Sequence, residues 1–470
     1  MGRDPGPTPA FRRALRETLG ADGVLEEAAD CWAYGYDNSR EQAPPEVVGF
    51  AEEPGQVAEV VRLCNRHRVP LVARGRGTGT TGAAVPIAGG LVLSLERMDR
   101  ALEVNPDDRL VVVQPGITNQ AVQELAGAHG FFWAPDPSSA EYCTVGGNLG
   151  HNSAGPRAVK YGTTRENTLG LRAVTGAGEV IRTGVRTTKG VVGYDLTRLI
   201  IGSEGTLAVI TEATLRLIPQ PEARRALRAA YRDIGDAAAA VTRIMAQPLI
   251  PSALEYIGGL GVDLVRGSPG VSLPAETGAL LLIEVDGPAA WVDDAARSVA
   301  EISQGPGLVE VTIGARAEDT ADLWAARKAL SPALRSLAPK KINEDIAVPV
   351  SRLPAFIRGV EELAARHRLP IVNFGHAGNG NIHTNLMVHP ERDDELDRAR
   401  VCLSELFDLV IALQGTLSGE HGVGLAKREF VDREIDTVTL GVMRRIKADL
   451  DPNGILNPGK VFPDRKVGTV

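Results

Sequence analysis

The chain has 470 residues, of which 43% are hydrophobic and 23% are charged, and its formal net charge is -8. This composition is that of a globular protein with enough chain for two or more domains. The acidic balance, without a long basic run, excludes a nucleic-acid partner held by phosphate contacts. The first residues lack the apolar core of a secretion signal, and no segment has the roughly 18 uninterrupted apolar residues of a membrane span. We therefore expect a cytoplasmic protein.

The first 220 residues alternate short strands with glycine-rich turns. Apolar spacing predicts helices over residues 11–19 and 56–66. Short apolar runs predict strands over residues 47–50, 69–73, 89–95, 110–113, 169–175, 179–183 and 207–217. This pattern favours an α+β layout in which the backbone approaches a ligand closely.

A change of composition follows Pro219 and Pro221, where a basic, alanine-rich stretch begins. Beyond it the pattern predicts helices over residues 234–245, 290–303, 317–337, 353–367 and 394–413. Predicted strands lie near residues 280–285, 310–313, 346–349 and 371–374. The turn-rich residues 451–460 are expected to return to the first domain. We accordingly divide the chain into domains 1–221 and 222–425, with 426–470 as the returning segment.

Three glycine-rich segments lie within about 130 residues: Arg74–Gly82, Thr144–Gly150 and Ile201–Thr206. Closely spaced glycines allow tight curvature and free several N–H groups to face one anion. The first segment is neither a Walker loop nor a dinucleotide fingerprint, because no Gly-Lys-Ser/Thr closes it and no amphipathic helix follows it. Together the three segments predict one long, phosphate-bearing cofactor.

A metal and acid–base pattern lies later in the chain. His376 and His383 flank a Gly-Asn-Gly-Asn turn, and apolar residues on both sides predict a hairpin that brings the two imidazoles together. About forty residues further on, Glu420 and His421 stand between glycines. Imidazole and carboxylate ligands suit zinc, manganese or iron, and three protein ligands leave a position open for substrate.

At several motifs the chain resembles a known family. In the first domain the resemblance is to the FAD-binding domain of the vanillyl-alcohol oxidase superfamily, at Arg74–Gly82, Pro135–Pro137, Gly146–Asn148, Lys160–Gly162, Gly202–Gly205 and Asn457–Lys460. The later motifs resemble the FAD-linked oxidase C-terminal domain, at Lys341–Asp345, His376–His383 and Ser418–Gly422. Within that family the chain is most similar to the group formed by D-lactate dehydrogenase, D-2-hydroxyglutarate dehydrogenase and the FAD-linked subunit of glycolate oxidase.

The resemblance implies a PCMH-type FAD-binding domain made of two α+β subdomains. It also implies an α+β substrate domain with an antiparallel sheet. The cofactor-binding residues that it implies are Arg74, Gly75, Arg76, Gly77, Thr78, Gly79, Thr80, Gly82, Pro137, Ser138, Gly146, Asn148, Ser153, Gly205, Ile210 and Asn457. Relatives that bind flavin covalently carry a histidine where this chain has Thr78, so non-covalent FAD is expected.

The resemblance further implies oxidation of a D-2-hydroxy acid to the 2-oxo acid. His376, His383 and Glu420 would hold a divalent metal (Zn, Mn or Fe) that lowers the hydroxyl pKa, His421 would take the proton, and flavin N5 would accept the hydride. The residues implied to contact or orient the substrate are Arg327, Lys341, Asn343 and Asn381. Many relatives carry Asp where this chain has Asn379, which removes a carboxylate that could orient a metal ligand.

D-lactate or glycolate is the expected substrate, and we assign side-chain specificity to loops around Glu255 and over residues 337–346. D-2-hydroxyglutarate dehydrogenation is one alternative. Others are group transfer like that of alkyl-dihydroxyacetonephosphate synthase and a flavin-binding accessory subunit of a multi-chain oxidase. The electron acceptor stays open among a quinone, a cytochrome, an electron-transfer flavoprotein and an iron–sulfur subunit. Four distant cysteines predict no cluster in this chain. Peripheral association with the inner membrane face and a homodimer are also left open.

Overall fold

The computed structural model describes residues 6–314 and 323–464, and the chain divides into two compact units. Unit 1 contains the residues up to Gly155, Gly162–Gln220 and the residues from Glu420 onward. Unit 2 contains Pro156–Tyr161 and Pro221–Gly419. Both units combine helices with sheets, so the predicted α+β class is confirmed.

Up to Gln220 the elements in chain order are α1 (Pro9–Leu19), β1 (Val24–Leu25), α2 (Ala28–Cys31), β2 (Val47–Phe50), α3 (Pro54–His67), β3 (Leu71–Arg74), β4 (Leu91–Ser94), β5 (Ala101–Asn105), β6 (Leu110–Val113), α4 (Asn119–Gly127), β7 (Phe131–Phe132), α5 (Val145–His151), α6 (Ala158–Tyr161), β8 (Thr168–Thr175), β9 (Val180–Gly184), α7 (Leu196–Ile200), β10 (Ala208–Arg216) and β11 (Ile218–Pro219). The later elements are β12 (Ala223–Tyr231), α8 (Ile234–Met245), β13 (Ala253–Gly258), α9 (Gly259–Val265), β14 (Ala279–Gly287), α10 (Val292–Ile302), β15 (Leu308–Ile313), α11 (Ala325–Ala333), β16 (Lys340–Ala347), α12 (Leu353–His367), β17 (Ile371–Gly375), β18 (Asn381–Val388), α13 (Asp393–Ala412), α14 (Val431–Glu434) and α15 (Thr437–Leu450).

Unit 1 contains two main sheets. In the first, of order β1-β2-β4-β3, strands β2, β4 and β3 run parallel and are almost wholly apolar, as parallel strands buried on both faces are. Helix α1 begins at the N-cap Thr8 and buries Phe11, Leu15 and Leu19 along one face against this sheet's core. The second sheet is antiparallel, of order β5-β6-β10-β8-β9.

Unit 2 is built on one seven-stranded antiparallel sheet of order β15-β12-β14-β13-β17-β18-β16. Strands β17 and β18 form the predicted hairpin near one edge. Helices α9 and α11 pack on one face through Val262, Val265, Leu330 and their neighbours. The antiparallel sheet expected for the substrate domain is therefore confirmed.

Several predicted elements need correction. The segment Thr144–Gly150 is not a loop, since Val145–His151 forms α5 with the Thr144 side chain accepting a hydrogen bond from the Gly147 N–H. Gly146 serves packing, because a Cβ there would lie 2.6 Å from Cβ of Pro115.

The strand expected at residues 346–349 is β16, which begins at Lys340. Its polar residues resemble a loop in sequence, but each pairs with a residue of β18. A helix is expected over residues 317–337, of which residues 317–322 lie outside the described residues. The described part of this range contains α11, which begins at Ala325 and ends at Ala333. Strands β12 and β13 were not predicted, and β13 places Glu255 on a strand and not in a loop.

The segment after residue 450 is bound into the first sheet of unit 1. Leu71 N–H donates to the Ile455 carbonyl at 2.8 Å, and Asn457 N–H donates to the Leu71 carbonyl at 2.8 Å. Ile455 and Leu456 are buried in the same core as α1 and α3. Lys460 is 2% exposed and donates from Nζ to the Val85 carbonyl at 2.6 Å.

Lys460 makes the stability of the protein depend on pH. Burial lowers the pKa of this lysine to about 8, whereas an unfolded lysine has a pKa of about 10.4. Between these values the unfolded chain binds a proton that the folded chain has released, so stability rises with pH. We expect wild type to gain up to about 3 kcal/mol relative to Lys460→Met between pH 8 and pH 10.4. Melting temperatures of both proteins across this range test the difference, and parallel curves would contradict it.

Candidate active site

The first glycine segment, Arg74–Gly82, follows β3 directly. A Cβ on Gly75 would collide with Thr144 Oγ1, so only glycine allows this loop to approach the start of α5. The backbone N–H groups of residues 76–80 make no hydrogen bond with the described part of the chain. Arg74 beneath them is 6% exposed, and its Nη1 is buried without a partner among the described residues. Unpaired N–H groups above a buried guanidinium are suited to an anion.

Replacing Gly75 by alanine should therefore disrupt this anion cradle. The added methyl group would push the loop away from Thr144, and we expect the FAD content of the purified protein to fall at least tenfold while the fold is retained. The matched control is Gly55→Ala, since Gly55 lies in α3 and a methyl group added there would meet nothing within 4 Å. The ratio of flavin to protein absorbance measures the effect. Equal FAD content in the two variants would contradict the prediction.

The other predicted cofactor residues also belong to unit 1. His151, at the end of α5, points toward it, since a Cβ on Gly79 would lie 3.4 Å from His151 Nε2. Asn148 is buried and accepts from Asn119 Nδ2 at 3.2 Å. Asn457 Nδ2 donates to the carbonyls of Ala83 and Glu204, at 2.9 and 2.7 Å. The remaining members lie between β7 and α5 (Pro137, Ser138), after α5 (Ser153), in the third glycine segment (Gly205) and on β10 (Ile210).

The segment 421–425 is held by all three glycine-rich regions of unit 1. His151 Nδ1–H donates to the His421 carbonyl at 2.9 Å, and Thr81 Oγ1 lies 3.4 Å from the same oxygen. The Glu204 carboxylate accepts from the N–H groups of Val423 and Gly424 at 2.6 and 2.8 Å. The backbone of the predicted base His421 is thus fixed by the glycine-rich regions of unit 1, and sequence reasoning did not assign this contact to His151.

In unit 2 the hairpin brings the two predicted histidine ligands together. His376 follows β17, His383 lies on β18, and their ring centroids are 5.2 Å apart at an interplanar angle of 84°. Both side chains are buried. Gly380 closes the turn with φ +71°, where a Cβ would collide with the Val348 carbonyl oxygen. The folding of the pair by the turn is therefore confirmed.

Glu420 joins these histidines as a third ligand candidate. It is bonded to Gly419, the last residue of unit 2. One ligand atom from each of His376, His383 and Glu420 lies within 4.8 Å of the others. Asp345, the cross-strand partner of His383, holds the preceding turn by accepting from Ser418 Oγ at 3.1 Å and from Gly419 N–H through its carbonyl at 2.7 Å. Two imidazoles and one carboxylate at this spacing could hold a divalent metal.

Sequence reasoning placed Glu255 in a specificity loop and did not connect it with the predicted ligand His376 or with Arg327. It is fully buried on β13, where its Oε1 accepts from His376 Nδ1 at 2.5 Å and its Oε2 accepts from Arg327 Nε at 2.9 Å. Burial raises the pKa of this carboxyl, but His376 and Arg327 outweigh burial and lower the pKa to about 2. A charged residue inside the apolar run of β13 was the available signal, because a buried carboxylate requires partners. Many relatives carry Asp where this chain has Asn379. In this chain Glu255 supplies a carboxylate to His376 instead.

The predicted substrate residues lie at different places in unit 2. Arg327 is on α11, 21% exposed in its side chain, with its Cζ 4.8 Å from the Phe374 ring centroid. Asn381 Nδ2 donates to the Ile346 carbonyl at 2.8 Å, so its amide joins β18 to β16. Lys341 is exposed on β16, and Asn343 lies two residues further along this strand.

The motif at Lys160 and Tyr161 lies in unit 2, whereas the three glycine-rich segments lie in unit 1. Lys160 Nζ pairs with the buried Asp286 carboxylate, to which Tyr161 OH donates at 2.8 Å. This segment therefore connects α6 to β14.

Among the described residues, no helix combines the length and the apolar character needed to span a lipid bilayer.

Comparisons with known proteins match both parts of the chain. Residues 45–184 match the model of the FAD binding domain, and residues 220–461 match that of the C-terminal domain of FAD linked oxidases. The glycolate oxidase subunit GlcD of Bacillus subtilis (strain 168) is 36% identical over 97% of each chain. The chain belongs to the FAD-linked oxidases.

Other relatives of this FAD-linked oxidase carry different names. D-2-hydroxyglutarate dehydrogenase of Stutzerimonas stutzeri (strain A1501) is 32% identical over 97% of this chain and 99% of that protein. D-lactate dehydrogenase of Archaeoglobus fulgidus is 35% identical over 91% of this chain and 95% of that protein. Among solved structures, p-cresol methylhydroxylase with substrate bound superposes with a TM-score of 0.77 at 18% identity, covering 98% of each chain. That likeness shows the fold alone.

Proposed function

We propose that this FAD-linked oxidase oxidises a D-2-hydroxy acid to the 2-oxo acid, with D-lactate or glycolate as the substrate. The relatives named above act on hydroxy acids of this class according to their names. The observation that carries the proposal is the buried Glu255, which holds a histidine of the ligand group and an arginine at one place in unit 2. A 2-hydroxy acid requires such an arrangement, because a metal can chelate its hydroxyl and carboxylate oxygens while a cationic side chain binds the carboxylate.

The first glycine segment would hold the FAD pyrophosphate through the N–H groups of residues 76–80 and the charge of Arg74. The same unit supplies the other predicted flavin contacts, including Asn148 and Asn457. Bound non-covalently, FAD supplies the acceptor for the hydride from the substrate α carbon. The N–H groups and the buried guanidinium fit this cofactor without any covalent link at Thr78.

Arg327, the three candidate metal ligands and His421 would bind and orient the substrate. Arg327 presents its terminal nitrogens to the substrate carboxylate, because its Nε is already bonded to Glu255. His376, His383 and Glu420 would hold a divalent cation, which supplies Lewis acidity toward the substrate hydroxyl. His421 accepts the hydroxyl proton, and an imidazole is suited to this near neutral pH.

Onward electron transfer is assigned to a separate acceptor. The relative from Bacillus subtilis is named as a subunit of glycolate oxidase, which favours a partner chain as that acceptor. The four cysteines of this protein are all buried and free. An artificial dye therefore has to replace the physiological acceptor in assays of the isolated chain.

The test is an anaerobic titration of the purified protein, followed at the absorbance band of oxidised flavin. D-lactate, L-lactate, glycolate and D-2-hydroxyglutarate are each added with and without a chelator. We expect bleaching by one hydroxy acid of this set, with the D acid preferred over the L acid, and loss of bleaching when the chelator is present. A flavin-containing protein that no hydroxy acid bleaches would contradict the proposal and favour group transfer or an accessory role.

A further inference from the structure

We propose that Glu255 is a positioning residue that orients the metal ligand His376 and the substrate-binding Arg327 together. This inference rests on the proposed function. Glu255 touches neither the substrate nor a metal in this role, and it acts through the two side chains bonded to it. One carboxylate would thereby set the relative placement of the cation site and the carboxylate-binding site.

The position of Glu255 in the sheet explains the first contact. Strands β13 and β17 are antiparallel neighbours, with Ile257 opposite Phe374 and Tyr256 opposite Gly375. Continuing this register by one residue places Glu255 opposite His376. The hydrogen bond of 2.5 Å between Glu255 Oε1 and His376 Nδ1 therefore follows from strand pairing, and full burial removes competing water.

The direction of that hydrogen bond decides which nitrogen of His376 can bind a metal. A carboxylate only accepts, so Nδ1 of His376 carries a proton, and in the neutral ring it is then Nε2 that has the lone pair a metal requires. Metal-bound histidines commonly donate their other ring N–H to a carboxylate, which fixes the tautomer and the ring orientation. Glu255 provides that carboxylate, so His376 is prepared to bind a cation through Nε2.

The second carboxylate oxygen orients Arg327. Its bond to Nε, at 2.9 Å, fixes one edge of the guanidinium and leaves terminal N–H groups for a substrate carboxylate. The Phe374 ring, 4.8 Å from Cζ, supports the guanidinium plane. Phe374 is also the cross-strand partner of His383. The arginine is thus fixed to the same hairpin that carries the histidines. An exposed arginine without such contacts would not be held in one orientation.

A purely structural ion pair would behave differently from a positioning residue. Loss of a structural pair lowers stability without a specific effect on metal affinity. Loss of a positioning residue weakens metal binding and substrate binding at the same time, even where the fold is retained. The experiment must therefore read metal affinity directly, apart from turnover.

Glu255→Gln tests the inference, with Glu284→Gln as its matched control. An amide oxygen can accept from either His376 or Arg327, while its NH₂ group faces the other donor. Glu284 is also a buried carboxylate, on the adjacent strand β14, but it accepts a hydrogen bond from Ser252 Oγ at 3.1 Å. Zn²⁺ affinity is measured by competition with a chromophoric chelator in the FAD-loaded proteins. KM and kcat are measured with D-lactate, or with whichever acid bleaches the flavin of wild type.

We expect Glu255→Gln to weaken Zn²⁺ binding about 10- to 100-fold and to raise KM, with FAD content unchanged and Glu284→Gln like wild type. Glu255→Asp, which keeps the charge but is too short to reach both partners, should give a smaller loss and covers the case in which the glutamine variant does not fold. Wild-type Zn²⁺ affinity in a folded Glu255 variant would overturn the inference. Failure of wild type itself to bind Zn²⁺ and to bleach would overturn the proposed function instead.

Discussion

Replacement of His383 by alanine is expected to lower kcat/KM for the 2-hydroxy acid by about 10³-fold, because several kcal/mol of Lewis-acid stabilisation depend on a complete ligand set. His383 is one of three side chains whose ligand atoms lie within 4.8 Å of one another. The predicted flavin contacts lie on other residues, in unit 1, so FAD content should not change. Anaerobic stopped-flow reduction of the flavin measures the loss.

The matched control for this variant is His389→Ala. His389 lies just after β18, is 30% exposed in its side chain, and pairs with Glu391 at 3.1 Å. The His389→Ala variant therefore removes an imidazole next to β18 and leaves His376, His383 and Glu420 unchanged. A His383→Ala enzyme within a few-fold of wild type would show that this histidine holds no catalytic metal.

Replacement of His421 by alanine is expected to slow flavin reduction by about 10²- to 10⁴-fold, the usual contribution of a general base. The backbone at this position is anchored through its carbonyl by His151 Nδ1 at 2.9 Å, and this contact does not depend on the His421 side chain. The variant should consequently fold, retain FAD and bind substrate. The measurement is the rate of anaerobic flavin reduction at saturating substrate.

Added imidazole distinguishes a lost base from a lost structure. If His421 takes the hydroxyl proton, free imidazole should restore part of the rate in His421→Ala and should leave His383→Ala unaffected. Unchanged reduction rates in His421→Ala would remove this residue from the mechanism, while the metal-site prediction would still stand on its own test.

The elements that sequence predicted well are those whose signal is local. Helices α8 and α12 begin and end as predicted because their apolar faces and their ends are encoded within fifteen residues. The hairpin was predictable because its turn, ending at Gly380, and both its strands are contiguous.

The features that sequence missed depend on distant partners. The role of Glu255 cannot be predicted from its neighbours on β13, because its partners His376 and Arg327 come 121 and 72 residues later. Helix α5 was not predicted, because glycines are more typical of turns. Gly146 must be small because it packs against Pro115, which lies about thirty residues earlier in the chain. The excursion of residues 156–161 into unit 2 is fixed by Asp286, more than a hundred residues away.

The bond between β3 and the segment at Leu456 has a consequence for synthesis of the protein. Leu71 emerges from the ribosome early, yet its backbone partners Ile455 and Asn457 are among the last residues described. Most of unit 2 is one continuous stretch that can fold while translation continues, whereas the first sheet of unit 1 stays incomplete until the end. We therefore expect flavin to load only after translation has passed Leu456, and nascent chains arrested earlier to remain colourless.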